Sequence, residues 1–261
     1  MSMVKLKQKL NNSEVSFGTW IQIGHPAIAS ILSDCGFDWI CIDMEHGSIN
    51  LDTLSSMVDI IRSKGCNPLV RLSTCTDPIA ARISLDAGAV GLILPNVVNS
   101  LWFETNYTHC NYPPKGSRGI GYCAANGYGS KFNSYLTSFN DEIVLIPQIE
   151  SKIAIDHLDD FFTESAKHID ATFVGPLDLS GSYGQCGNLS HPDVAEALNK
   201  YNTSCEKHHI AKGMHIVHPD ANQIEKAINE NYKLIALGLD ASFIWSNALS
   251  LVKTINAILL R

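Results

Sequence analysis

The chain has 261 residues, 45% of them hydrophobic and 17% charged, which excludes a disordered protein. It is long for one sandwich or doubly wound unit and a usual size for a single eight-stranded α/β barrel. Nineteen Lys+Arg against 26 Asp+Glu leave a net charge of −7, which argues against nucleic acid as a primary partner.

No apolar run reaches the ~18–20 residues needed to span a bilayer. The N-terminal stretch MSMVKLKQKLNNSEVSFG lacks the apolar segment of a secretory signal. A cytosolic protein without membrane contact is therefore expected. Eight scattered cysteines, none in a C-x-x-C pair, fit that compartment as free thiols rather than zinc ligands or disulfides.

In chain order, strands are predicted at 18–23, 39–43, 68–72, 91–94, 143–149, 171–174, 213–217 and 234–237. Many are continuously apolar, as strands buried on both faces should be. Helices are predicted between them at 27–35, 51–64, 78–87, 101–110, 152–160, 192–208 and 222–231, with a last one at 242–260. Eight alternations without a linker read as one (β/α)₈ barrel over 1–261. An open doubly wound sheet is the second reading, weakened because no G-x-G-x-x-G follows the first strand. The stretch 111–129, NYPPKGSRGIGYCAANGYG, breaks the alternation and reads as a long functional loop.

Barrel sites lie at the C-terminal ends of strands, so the polar residues there are the candidates. The second strand ends in Asp43-Met44-Glu45-His46-Gly47, the third near Arg71, the fifth in Gln148-Ile149-Glu150 and the sixth in Gly175-Pro176-Leu177-Asp178. Glu150 and Asp178 can share a hard divalent cation such as Mg²⁺, Mn²⁺ or Co²⁺; taken alone Asp178 could equally cap the helix that follows, but the pair with Gln148 beside it favours the cation. His46 has the titration range of a general base, or is simply a loop histidine. Arg71 closes an apolar strand, where it should pair with a protein or substrate carboxylate. Asp86 ends the helix after the third strand and could orient His46. No nucleophilic Ser or Cys elbow is evident, and no rim lysine suggests a Schiff base.

The motifs FGTWIQIGHP, FDWICIDMEHG, PLVRL, LDAGAVGLILPNV, PPKGSRGIG, PQIES and FVGPLDLSGSYG resemble the HpcH/HpaI class of 2-keto-acid aldolases, in order and over nearly the whole chain. The resemblance implies a metal-dependent class II aldolase on a (β/α)₈ barrel, yielding pyruvate and an aldehyde from a hydroxy-keto acid. It makes His46 the base and Asp86 its partner in a dyad. Arg71 becomes the enolate-stabilising arginine, and Glu150 and Asp178 the metal ligands. Asp43, Glu45 and Gln148 would line the metal's water shell or the keto-acid. Gly175, Pro176, Leu177 and Asp178 would receive the pyruvyl carboxylate, and Trp20 would line the pocket. One departure stands out: Ala124 occupies a place in the glycine-rich loop where many relatives carry Arg.

Two rivals remain at this stage, a CoA-ester lyase of the citramalyl or malyl type and a barrel that binds a keto-acid without catalysis. The last segment, SFIWSNALSLVKTINAILL, carries more apolar surface than one stripe requires. With the resemblance, it predicts a terminal helix exchanged between subunits of a homo-oligomer, expected to be a hexamer.

Overall fold

The computed structural model describes residues 5–260; Met1–Val4 and Arg261, the two ends of the expected 1–261 unit, lie outside the described residues. Eight parallel strands close in sequence order into a barrel: β1 (Ser16–Ile21), β2 (Trp39–Asp43), β3 (Asn67–Arg71), β4 (Gly91–Leu94), β5 (Val144–Ile149), β6 (Thr172–Val174), β7 (Lys212–Ile216) and β8 (Tyr232–Leu239). The register sets Gly18 opposite Trp39 and Asp43 opposite Arg71, and β1 closes on β8 with Ser16 opposite Leu234.

The helices are α1 (Leu6–Asn11), α2 (Pro26–Ser33), α3 (Leu51–Ser63), α4 (Pro78–Ala87), α5 (Ser100–Cys110), α6 (Phe132–Glu142), α7 (Lys152–Asp156), α8 (Leu158–Ser165), α9 (Pro176–Ser182), α10 (Pro192–Lys207), α11 (Ala221–Asn229) and α12 (Asp240–Leu259). Local chemistry starts and orients them. In α3, the Asn50 side chain accepts the Thr53 N–H at 2.8 Å, and Leu54, Met57, Val58 and Ile61 form one buried stripe. In α4, Asp77 caps the Ala80 N–H at 2.9 Å and Pro78 occupies the first turn.

Three helices escape the sequence reading. The first, α1, has only six residues, too few to display a period, and its value is tertiary: buried Leu6 and Leu10 join the apolar cluster that fills the barrel. The second, α6, lies in polar sequence with one buried residue, Phe139, and the third, α9, was read as strand end and loop. The stretch expected as one helix at 152–160 breaks at His157 into α7 and α8.

Inside the barrel large rings occupy room left by glycines on neighbouring strands. Trp39 meets Phe173 edge-on at 6.4 Å, and Trp20 meets the same ring edge-on at 5.8 Å. A β-carbon at Gly18 would lie 2.1 Å from the Trp39 ring, and one at Gly213 would lie 2.7 Å from Phe173. Both rings are hemmed in and cannot retreat.

The last helix leaves this compact body. Asp240 is its one buried residue, whereas Trp245, Leu251, Ile255, Ile258 and Leu259 are all more than half exposed. Among the described residues no helix is long and apolar enough to cross a membrane, and all eight cysteines are free.

Because Trp39 has nowhere to move, Gly18→Ala should overpack the barrel and cost about 1–3 kcal/mol. Urea denaturation would register this as a lower midpoint at unchanged slope.

Candidate active site

Strand alternation turns the apolar barrel filling into a charged rim. Cys41 and Leu69 belong to the interior cluster, and two residues further along the same strands come Asp43 and Arg71. Arg71 Nε donates to Asp43 Oδ1 at 2.8 Å and Nη2 donates to Oδ2 at 2.7 Å. Nη1 lies 2.9 Å from Glu45 Oε2. The guanidinium rests 4.5 Å from the centre of the Trp20 ring. A guanidinium has five N–H groups; the bonds to Asp43 engage two, and Nη1 faces Glu45 as an ion pair without a hydrogen bond. At least one N–H on each terminal nitrogen is left for a ligand.

Asp43 is wholly buried and organises the turn after β2. Its Oδ1 also accepts the backbone N–H groups of Glu45 and His46 at 3.1 and 3.3 Å, and its Oδ2 accepts Gln22 Nε2 at 2.9 Å. A β-carbon at Gly47 would stand 2.2 Å from the Asp43 carbonyl oxygen, so the D-M-E-H-G turn can end only in glycine. Burial pushes the Asp43 carboxyl up, but its bonds to Arg71 and then Gln22 outweigh that and hold it below the usual range. At Glu45 burial prevails over Arg71 and the pKa is raised.

Opposite lies a second carboxylate set. Glu150 Oε1 accepts the Asn96 backbone N–H at 2.7 Å, and Gln148 Nε2 donates to Glu150 Oε2. A β-carbon at Gly175 would come 2.5 Å from Glu150 Oε2, so glycine there leaves room for the carboxylate. Asp178 is exposed in the first turn of α9, near enough for its charge to act on both Glu45 and Glu150. Burial, aided by the Glu45 and Asp178 charges, raises the Glu150 pKa to about 7. The buried Gln148 Oε1 has no hydrogen-bond partner.

These residues fit a hard cation. They are oxygen donors, they repel one another, and an orphaned amide oxygen sits among them. Among the described residues no three His, Cys, Asp or Glu side chains converge as a ready-made metal cluster. A site here would rest on Glu150 and Asp178 and leave positions for water and substrate.

The remaining expected residues fall around this centre. Trp20 is nearly fully buried, so it forms the floor beneath Arg71 rather than an open wall. Pro176 and Leu177 open α9, with Leu177 more than half exposed. The Gly175 N–H is bonded to the Ile149 carbonyl, which leaves the Leu177 and Asp178 N–H groups of the first helical turn as that segment's donors.

His46 stands at the rim with more than half its side chain exposed, its Nε2 4.0 Å from Glu45 Oε2. The expected dyad is not formed within the chain. Asp86 accepts Arg118 Nη2 at 2.6 Å and lies 3.8 Å from Arg82 Nη1, and no contact with His46 exists among the described residues. Arg118 was overlooked in the sequence although it stands in the quoted PPKGSRGIG. It is buried, stacks on Tyr112 and Phe139 at 4.6 and 4.4 Å, and fastens the 111–129 loop to α4. At Ala124, where relatives often have Arg, the carbonyl accepts Arg62 Nη2 at 3.4 Å.

The HpcH/HpaI aldolase/citrate lyase family matches residues 16–246, the span from β1 into α12. The chain belongs to that family. It is 30% identical over 244 residues to a 2-keto-3-deoxy-L-rhamnonate aldolase of Escherichia coli, covering 93% of this chain and 89% of that one. It is 28% identical over 247 residues to a hydroxypyruvate/pyruvate aldolase of Roseobacter denitrificans, covering 94% of each. An HpcH/HpaI family structure from Burkholderia cenocepacia superposes with a TM-score of 0.89 at 27% identity, covering 96% of this chain and 98% of the other.

One further side chain at this level was not expected in the site. His215 of β7 lies 5.6 Å from Trp20, ring to ring, and its Nε2 meets the Gly238 carbonyl at 3.0 Å. Burial, followed by the charges of Arg71 and His218, pushes its pKa down to about 4. Above pH 6.5 His215 is neutral in both folded and unfolded chains. Between pH 6.5 and about 4 only the unfolded chain takes up the proton, so stability falls as pH falls. Through this group the wild type should lose about 2 kcal/mol between pH 7.5 and pH 5. Urea midpoints for wild type and His215→Gln at the two pH values should converge by that amount.

Proposed function

We propose that this chain is a metal-dependent class II aldolase, one barrel unit over 1–261 acting in the cytosol. It reversibly cleaves a 4-hydroxy-2-keto acid or 2-keto-3-deoxy sugar acid into pyruvate and an aldehyde. The observation that carries this reading is the Arg71 guanidinium, bonded at two points by Asp43 and paired with Glu45 above Trp20, with N–H groups on both terminal nitrogens left over, across from the Glu150–Asp178 carboxylates. The names of the two curated relatives support the same reaction class.

Glu150 and Asp178, with Gln148 Oε1 beside them, would hold a divalent cation such as Mg²⁺, Mn²⁺ or Co²⁺, which supplies Lewis acidity toward the keto and carboxylate oxygens of the substrate. Arg71 directs its free N–H groups at the oxygen that gains negative charge as the carbon–carbon bond breaks. Its geometry is set before substrate arrives, so little reorganisation is needed. His46, exposed at the rim, takes the proton from the C4 hydroxyl as that oxygen becomes the aldehyde carbonyl. The first-turn N–H groups of Leu177 and Asp178 face the carboxylate end.

Asp86 can orient His46 only where a second copy of the chain brings the two together, since within one chain it serves Arg118. This agrees with the apolar length of α12. We infer a homo-oligomer, a hexamer with α12 in an interface, whose loops complete the aldehyde side.

Three measurements test the reading. Pyruvate methyl-proton exchange, followed by NMR in deuterated water, should fall on the order of 10²–10³-fold in Arg71→Ala. In His46→Ala, cleavage should fall further than exchange. Chelation should abolish exchange in the wild type, and Mn²⁺ or Mg²⁺ should restore it. Exchange at the wild-type rate in Arg71→Ala rejects the assignment. Light scattering at micromolar concentration should give one species several times the chain mass, and removing residues 242–261 should dissociate or precipitate the protein.

A further inference from the structure

His215 occupies a place that the reaction, as described, does not use. Strand alternation aims it inward: on β7 it lies two residues beyond Gly213, whose missing β-carbon makes room for the interior ring Phe173. Its neighbour across the barrel wall is Ala236 of β8, itself part of the interior cluster. The ring stands against Trp20, and Trp20 is the floor beneath Arg71. The residue is half-buried and senses the charges of Arg71 and Asp43, which places it at the level of the rim centre.

Its hydrogen bonding fixes which nitrogen is available. A carbonyl only accepts, so the 3.0 Å contact with Gly238 requires the proton on Nε2. With the pKa depressed, the ring is neutral and Nδ1 is a bare acceptor. Among the described residues nothing donates to Nδ1. An acceptor fixed in a site that substrate enters discriminates by whether the ligand brings a donor. Keto, carboxylate and aldehyde oxygens bring none. A substrate hydroxyl does.

We propose that His215 Nδ1 accepts a hydrogen bond from a hydroxyl of the bound substrate, and that this contact selects hydroxylated substrates over their deoxy counterparts. This rests on the aldolase reading above. The hydroxyl belongs either to the carbon next to the aldehyde or to the third carbon of the keto acid, and one assay separates these sources.

The full-length protein with Mn²⁺ is assayed for aldol addition with pyruvate plus glycolaldehyde, pyruvate plus propionaldehyde, and hydroxypyruvate plus propionaldehyde. In the wild type, at least one hydroxylated pair should exceed the doubly deoxy pair at least tenfold in kcat/KM. The pair that does so names the hydroxyl. His215→Leu, close in volume, should bring that ratio to near one while retaining turnover of the deoxy pair. His215→Gln, which restores an acceptor, should recover part of the ratio.

A ratio unchanged in His215→Leu overturns the inference while the aldolase reading stands. Equal losses on every pair, unrelieved by Gln, also overturn it and make His215 a support for Trp20. A wild type inactive on all pairs with metal present overturns the aldolase reading itself, and the inference with it.

Discussion

The constraint on which the site depends is the buried pair of Asp43 and Arg71. A carboxylate and a guanidinium removed from water are tolerable only with close, well-aligned contacts. Here the two-point contact at 2.7 and 2.8 Å provides them, and it exists because the β2–β3 register places the two residues opposite each other. Everything nearby serves that pair. Gln22 and two backbone N–H groups occupy the remaining lone pairs of Asp43, and Trp20 presents its face to the guanidinium. The large rings below hold Trp20 in place, and they fit because Gly18 and Gly213 lack side chains.

Charge at the rim does not balance. Asp43 and Glu45 pair with the one guanidinium, while Glu150 and Asp178 have no cation beside them among the described residues, and His46 carries a charge only when protonated. The strain shows in the pKa directions. Asp43, bonded twice to Arg71, is lowered, while Glu45 and Glu150 are raised by burial first and then by neighbouring carboxylates, Asp43 and Asp178 on Glu45 and Glu45 and Asp178 on Glu150. A protein that keeps surplus carboxylates half-desolvated has a stability cost unless a cation joins them.

The barrel was legible in the sequence because its strands are short apolar runs bounded by turn residues. Trp39–Asp43, Gly91–Leu94 and Pro78–Ala87 match the expected bounds at both ends. The rim residues were legible because each interrupts an apolar run at its end. What escaped lacked a local signature. The first helix is a plug whose two leucines mean little until a barrel stands above them. Arg118, alone in a polar loop, gives no sign that it will be buried under Asp86 and two aromatic rings. His215 gave no signal of its own, because sequence parity alone does not say which face of a two-sided buried strand looks inward. The Asp86–His46 dyad came from resemblance alone, and within the chain the geometry gives Asp86 to Arg118.

A line of hydrogen bonds connects the exposed terminal helix to the reacting centre. Asp240, the buried first residue of α12, accepts the backbone N–H groups of Gln22 and Ile23 at 3.0 and 2.8 Å. That fixes the end of β1, from which the Gln22 side chain reaches Asp43, and Asp43 in turn grips Arg71. The anchor of α12 is therefore three contacts from the guanidinium, while the rest of the helix carries an apolar surface that water would rather not hold. Burying that surface against a partner would restrain the helix at its root and so stiffen the turn that aims Asp43. Through Asp240 the root of α12 is tied, by position and hydrogen bonding, to the turn that aims Asp43.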